Sequence, residues 1–208
     1  MPGPRLFVLG LDLDGVCADF YSKMREIAAE WSGRPIDDLP EEVTYGLPEW
    51  KLRKFGGDYT DLHKFAVTQR KLFETLQPIK GAAVAIRRLS AKNIRIRIIT
   101  HRLFIKDFHS QAVQQTIAWL DKHDIRYSDL CFMEKKDAVG AHLYIEDAPR
   151  NIEILKEQKL KTIIFTNSTN RHIQGVRADD WKQAEKLVLK EFKRWKAAQK
   201  RATKKRSR

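Results

Sequence analysis

Cysteine is scarce. The chain holds two, Cys17 and Cys131, far apart and in no CxxC pattern. That excludes a disulfide framework and fits a reducing, cytoplasmic setting. Long apolar runs are also missing. The N-terminal one, Leu6 to Leu11, is interrupted by Asp12 and Asp14. No run approaches the ~20 residues of a membrane span, so neither a signal segment nor a membrane helix is expected. Acids are nearly absent from the C-terminal end: residues 186–208 carry 11 Lys and Arg against Glu191 alone. That stretch therefore supplies +10 of the formal net charge of +13, and the rest of the chain is only mildly basic. The excess charge thus says little about the folded part. Beyond Gln199 the sequence KRATKKRSR has nothing to bury. Residues 200–208 are expected to be a disordered basic tail, capable at most of weak, nonspecific contact with nucleic-acid phosphates.

What is present is a core-forming pattern. Hydrophobic residues make up 42% of the chain, which excludes wholesale disorder. Short β-rich runs occur at Arg5–Leu11, Ile94–Thr100, Leu130–Met133, His142–Ile145 and Lys161–Phe165. Helical patterns lie near 80–92, 107–123 and 149–158, and Asp180–Gln199 places Trp181, Ala184, Leu187, Val188, Phe192 and Trp195 on one face. Strands separated by helices predict an α/β fold, a Rossmann-like parallel sheet flanked by helices. The interval 17–78 breaks the rhythm. It is longer than one crossover needs and contains helical stretches at Phe20–Trp31, Glu49–Phe55 and Asp61–Leu76, punctuated by Pro35, Pro40, Pro48 and Gly56–Gly57. We read residues 1–16 and 79–199 as the core and 17–78 as a small inserted helical cap. Ligands of open α/β sheets sit at the carboxyl ends of strands, so an insertion leaving strand one lies over the site.

The carboxyl ends of these strands carry the chemistry. Asp12 and Asp14, in LDLDGV, follow the first strand, and residues two apart on an extended chain share a face. Gly15 permits a sharp exit. The fourth strand is followed in the same way by Glu146–Asp147 and a helix opening at Pro149. Converging carboxylates suit a hard cation such as Mg²⁺ that shares its oxygens with a substrate phosphate. Thr100 ends the second strand, and Lys136 precedes Glu146 by ten residues. A strand-end threonine or a lysine is by itself usually an ordinary solvated residue. The ordered set is much harder to obtain by chance.

That set, LDLDGV, IIT, Lys136 and YIEDAP, resembles the four motifs of the haloacid dehalogenase-like (HAD) phosphohydrolases. Within them the chain is similar to the 5′(3′)-deoxyribonucleotidases, over DLDGVCADF, the segment LQPIKGA and NRHI…ADDWKQAEKL, about residues 5–190 in all. The resemblance implies an HAD-like fold and a Mg²⁺-dependent phosphomonoester hydrolase acting on nucleoside monophosphates. Asp12 is then the nucleophile and Asp14 the general acid and base. Mg²⁺ is held by Asp12, Asp147 and the backbone carbonyl of Asp14, with Glu146 supporting from behind, while Thr100 and Lys136 grip the phosphoryl group. Phe20 stands where the family stacks a ring on the base; for Tyr45, Trp50, Phe55 and Phe73 internal packing is the favoured reading. The chain departs from the family at His101 and Arg102, after the motif threonine, and at Glu134. A larger residue at His101 either contacts the substrate phosphate or merely ends the strand. Two other readings remain: an HAD phosphatase for another small ester such as a sugar phosphate, and a nucleic-acid-binding protein that retains the fold. Oligomeric state is not predicted.

Overall fold

The structure, a computed structural model, describes residues 6–206. Strands β1 (Phe7–Leu11), β2 (Ile94–Thr100), β3 (Asp129–Phe132), β4 (Leu143–Glu146), β5 (Thr162–Phe165) and β6 (Arg177–Ala178) form a six-stranded sheet in the order β3-β2-β1-β4-β5-β6. Every pairing is parallel. The two-residue β6 was not anticipated, because so short a strand carries no periodic pattern. Alternation along the strands sends side chains to opposite faces. Ile99 and Tyr144 pack with Leu155 of α6 (Pro149–Glu157) on one face. Leu9, Leu11, Ile96, Ile98, Leu143, Ile145 and Ile163 join the main core on the other. There they meet α4 (Ala82–Ser90) and α7 (Trp181–Arg206), which also contact one another. Arg95 and Arg97, unusual in a central strand, both grip the Asp129 carboxylate on the neighbouring β3.

The interval between β1 and β2 leaves and returns through one narrow stalk. Asp19 N–H donates to Gln77 O, and Ile79 N–H donates to Cys17 O, each at 2.8 Å. Beyond the stalk lie α1 (Phe20–Ser32), α2 (Tyr59–Arg70) and α3 (Leu72–Thr75). The expected helix over Glu49–Phe55 is instead two 3₁₀ turns, Pro48–Trp50 and Leu52–Phe55, parted by Lys51 at φ 52°. The stretch Asp61–Leu76 is likewise broken, at Lys71 with φ 48°. Its helix also starts earlier, where Asp58 accepts from Thr60 N–H and Asp61 accepts from Asp58 N–H in a capping box.

Helix α5 (His109–Lys122) packs against α3 and the core through Trp119, whose indole donates to Leu76 O at 2.8 Å. At the other end of the chain the tail expectation requires correction. Helix α7 continues to Arg206, so 200–206 are helical, while 207–208 lie outside the described residues. Lys, Arg, Ala and Gln propagate a helix that is already nucleated, even with nothing to bury. Among the described residues no helix is long and apolar enough to cross a membrane. Cys17 and Cys131 are both unpaired.

Candidate active site

Parallel register brings the predicted residues to one edge. Leu11 is level with Ile98 of β2 and Ile145 of β4, so Asp12 and Glu146 emerge side by side and Thr100 one residue further along. Asp12 is anchored by its own N–H, which donates to Ile145 O at 3.1 Å. The chain then turns tightly: the N–H groups of Cys17 and Ala18 both donate to Leu13 O. Trp181 of α7 locks this turn from below, its indole donating to Val16 O at 2.8 Å.

Asp12, Lys136, Glu146 and Asp147 are all buried. Lys136 Nζ bridges Asp12 Oδ2 and Glu146 Oε2, each at 2.8 Å. The second oxygen of Asp12 accepts from Leu13 N–H at 2.7 Å. The second oxygen of Glu146 accepts from the N–H groups of Asp147 and Ala148. Burial pushes the Asp12 carboxyl up to about 8; Glu146 adds to the rise and Lys136 opposes it. Asp147 is raised by burial too, and by Asp12 and Glu146. Burial works against charge on Lys136, but Asp12 and Glu146 outweigh it and hold the ammonium above the ordinary lysine value.

This cluster accommodates a cation. Asp12, Glu146 and Asp147 can each offer a carboxylate oxygen within 4.8 Å of the others. Glu146 has both oxygens engaged, whereas Asp147 Oδ1 is buried with no hydrogen-bond partner. An all-oxygen set with one oxygen unsatisfied suits a hard divalent ion. Asp147 is also tightly cradled. A Cβ on Gly15, whose φ is +82°, would lie 2.1 Å from Asp147 Oδ2. Asn167, not anticipated from the sequence, donates to that same oxygen at 2.7 Å, and Asn170 donates to Asp147 O.

Above the cluster opens a cavity of about 420 Å³. Asp12, Asp14, Thr100, Lys136 and Asp147 line its floor; Phe20, Tyr21, Tyr45, Tyr59, His63 and Phe104 line its walls, with His101 and Glu134 nearby. Phe20, named as a candidate from the sequence, is one of the wall residues. Trp50 and Phe73 are fully internal as expected, but Tyr45 is 56% exposed and faces the cavity, which corrects its assignment to packing. Tyr59 and His63 were missed; they sit one turn apart on α2, with His63 Nδ1 and Tyr59 Oη 3.3 Å apart. Burial lowers His63 to about 4, so the ring is neutral at pH 7. Glu134 pairs with Arg150 across the rim at 3.5 Å. Arg102, the departure that follows His101, is buried behind Asp14 and forks onto both its oxygens.

Residues 6–194 match the family model described as 5′ nucleotidase, deoxy (Pyrimidine), cytosolic type C protein. A Chlorobaculum tepidum protein provisionally named as a 5′(3′)-deoxyribonucleotidase is 56% identical over 181 residues, which cover 87% of this chain and 89% of that one. The mitochondrial 5′(3′)-deoxyribonucleotidase of Mus musculus is 26% identical, over 83% of this chain and 82% of its own. In fold, the chain resembles a HAD-superfamily hydrolase of Geobacter sulfurreducens with a TM-score of 0.55 at 14% identity, over 89% of this chain and 98% of that one. With these motifs at the ends of these strands, and a family match spanning nearly its whole length, the chain belongs to the type C 5′-deoxynucleotidase family.

Proposed function

We propose that this protein is a Mg²⁺-dependent phosphomonoester hydrolase that acts on nucleoside monophosphates through an aspartyl-phosphate on Asp12. The observation that carries the reading is the buried Asp12–Lys136–Glu146 chain beside the unsatisfied Asp147 oxygen, beneath an aromatic-walled cavity. Asp12, Asp147 and the Asp14 carbonyl would hold Mg²⁺. When bound, the ion supplies positive charge that favours ionised Asp12 and offsets the charge of an incoming phosphate. Asp12 forms the new bond to phosphorus as the ester bond breaks, and Asp14 gives its proton to the leaving oxygen. Water then transfers a proton to Asp14 and displaces Asp12. Lys136 and Thr100 face the phosphoryl oxygens, and Glu146 keeps Lys136 charged and aimed.

Residues 17–78 act as the cap, since Phe20, Tyr45 and Tyr59 form walls over the floor set by the sheet. Ring faces stack on any base, so stacking supports a nucleotide without selecting one. His101 and Glu134 at the rim put ester preference under local control. The two unpaired cysteines fit a cytoplasmic location.

Phosphate release measured across ribo- and deoxyribonucleotides and sugar phosphates, with Mg²⁺ and with chelator, tests the proposal. The best kcat/KM is expected on a nucleoside monophosphate, with activity lost on chelation; a best substrate outside the nucleotides, or undiminished turnover in chelator, rejects it. The cradle gives a second test. Gly15→Ala forces Asp147 aside, and an ångström of displacement at a reacting centre costs on the order of 10²-fold in rate. Wild-type kinetics from a folded Gly15→Ala protein would show that Asp147 need not stay in place.

A further inference from the structure

Arg102 stands in an unusual relation to the site. Asp14 lines the cavity with its side chain 23% exposed, while the Arg102 side chain behind it is 1% exposed. Arg102 Nη2 donates to Asp14 Oδ1 at 2.6 Å and Nε donates to Asp14 Oδ2 at 3.0 Å. Its remaining nitrogen, Nη1, donates to Thr116 Oγ1 at 3.2 Å, and that hydroxyl donates in turn to Ala112 O. The guanidinium lies 4.4 Å from the Phe73 ring centre. Arg102 is therefore held from α5 and α3 together, and it holds the carboxylate that projects from the loop after β1.

We propose that Arg102 is a positioning residue, whose buried fork aims the Asp14 carboxylate at the ester oxygen of the substrate. The inference rests on the acid–base role proposed above for Asp14. A carboxylate offers about four acceptor directions, and a bidentate guanidinium occupies one on each oxygen. Asp14, 23% exposed, still lines the cavity beyond that fork. Releasing Asp14 altogether would leave a buried guanidinium unpaired, which is strongly unfavourable. The carboxylate is thus confined to small motions about one orientation while the proton passes from it to the leaving oxygen, and from water back to it. Lysine could match the charge but not the planar two-point hold or the stacking on Phe73.

The consequence is selective. A nucleoside leaves as an alkoxide and needs a proton; 4-nitrophenolate leaves as a stable anion and needs none. The test compares kcat/KM, which reports the step in which the ester bond breaks and not the later hydrolysis common to both esters, for thymidine 5′-monophosphate and 4-nitrophenyl phosphate in Asp14→Asn, Arg102→Met, Arg102→Lys and the Asp14→Asn/Arg102→Met double variant, each checked for folding by thermal unfolding. Asp14→Asn should slow the nucleotide by about 10²-fold or more and the aryl ester far less. Arg102→Met should shift the ratio of the two rates in the same direction by about tenfold, with Arg102→Lys in between. The double variant should be no slower on the nucleotide than Asp14→Asn, because the two residues act as one unit. If Arg102→Met does not fold, the ratio in Arg102→Lys decides by the same criterion. Equal slowing of both esters by the Arg102 variants, with Asp14→Asn still selective, overturns the inference alone. So does an additive double variant. Equal slowing of both esters by Asp14→Asn overturns the role of Asp14, and the inference with it.

Discussion

Asp12→Asn is expected to abolish phosphate release, by on the order of 10⁴-fold or more, while leaving the protein folded. The carboxylate lies at the cavity floor: it follows β1, is pinned by the hydrogen bond from its N–H to Ile145 O, and presents one oxygen to Lys136. An amide has neither the charge nor the nucleophilicity to form the phosphorylated intermediate. The fold should tolerate the change, because burial and Glu146 already lift the Asp12 carboxyl to about 8 against the pull of Lys136. A neutral side chain of the same shape removes that desolvation cost, although one amide hydrogen must then face the Lys136 ammonium or the Leu13 N–H. Steady-state assays alongside thermal unfolding separate the two outcomes. Substantial turnover in a folded Asp12→Asn protein would remove Asp12 from the nucleophile role.

Lys136→Met should be costly in both respects. Lys136 joins Asp12 to Glu146, and Asp147 lies within reach of both carboxylates. Deleting the ammonium leaves three buried acids with no buried cation among them. Removing one partner of a buried ion pair destabilises by about 3–5 kcal/mol. Urea unfolding at neutral pH should show a loss of that order. Activity should fall by about 10²–10³-fold, the usual effect of deleting one preorganised charge from a transition-state site. Unchanged stability would mean that the cluster does not depend on Lys136. Unchanged kcat/KM in a folded variant would exclude contact with the phosphoryl group.

Much of this was legible along the chain because it depends on local pattern. Ile94–Thr100 reads as a strand by its β-branched residues and is one. Asp12 and Asp14 follow an apolar strand and precede Gly15, whose positive φ only glycine adopts easily. What the pattern misjudged is equally local. Lys51 and Lys71 adopt left-handed backbone that no lysine advertises, and they break two expected helices. Residues 200–206 have no hydrophobic face in sequence but are mostly helix-forming, and α7 continues through them.

Arg102, Asn167 and the Tyr59–His63 pair belong to another category. Asn167, Tyr59 and His63 are ordinary residues in their own segments, and Arg102, although a departure from the family pattern, carries no local mark of its partner. Arg102 meets Asp14 across 88 positions of sequence, and Asn167 meets Asp147 across 20. Strand-end motifs declare themselves because their chemistry is carried by neighbours in the chain, where periodicity and turn residues leave a mark. The partners that hold those groups, and the ring walls of the cavity, come from segments that only the fold brings together. Folding determines their positions by burying surface and pairing buried charge. Hence the type of reaction could be inferred from a few short motifs, while the Arg102 fork on Asp14, the hold on Asp147 and the shape of the cavity emerged when the sheet and its insertion came together.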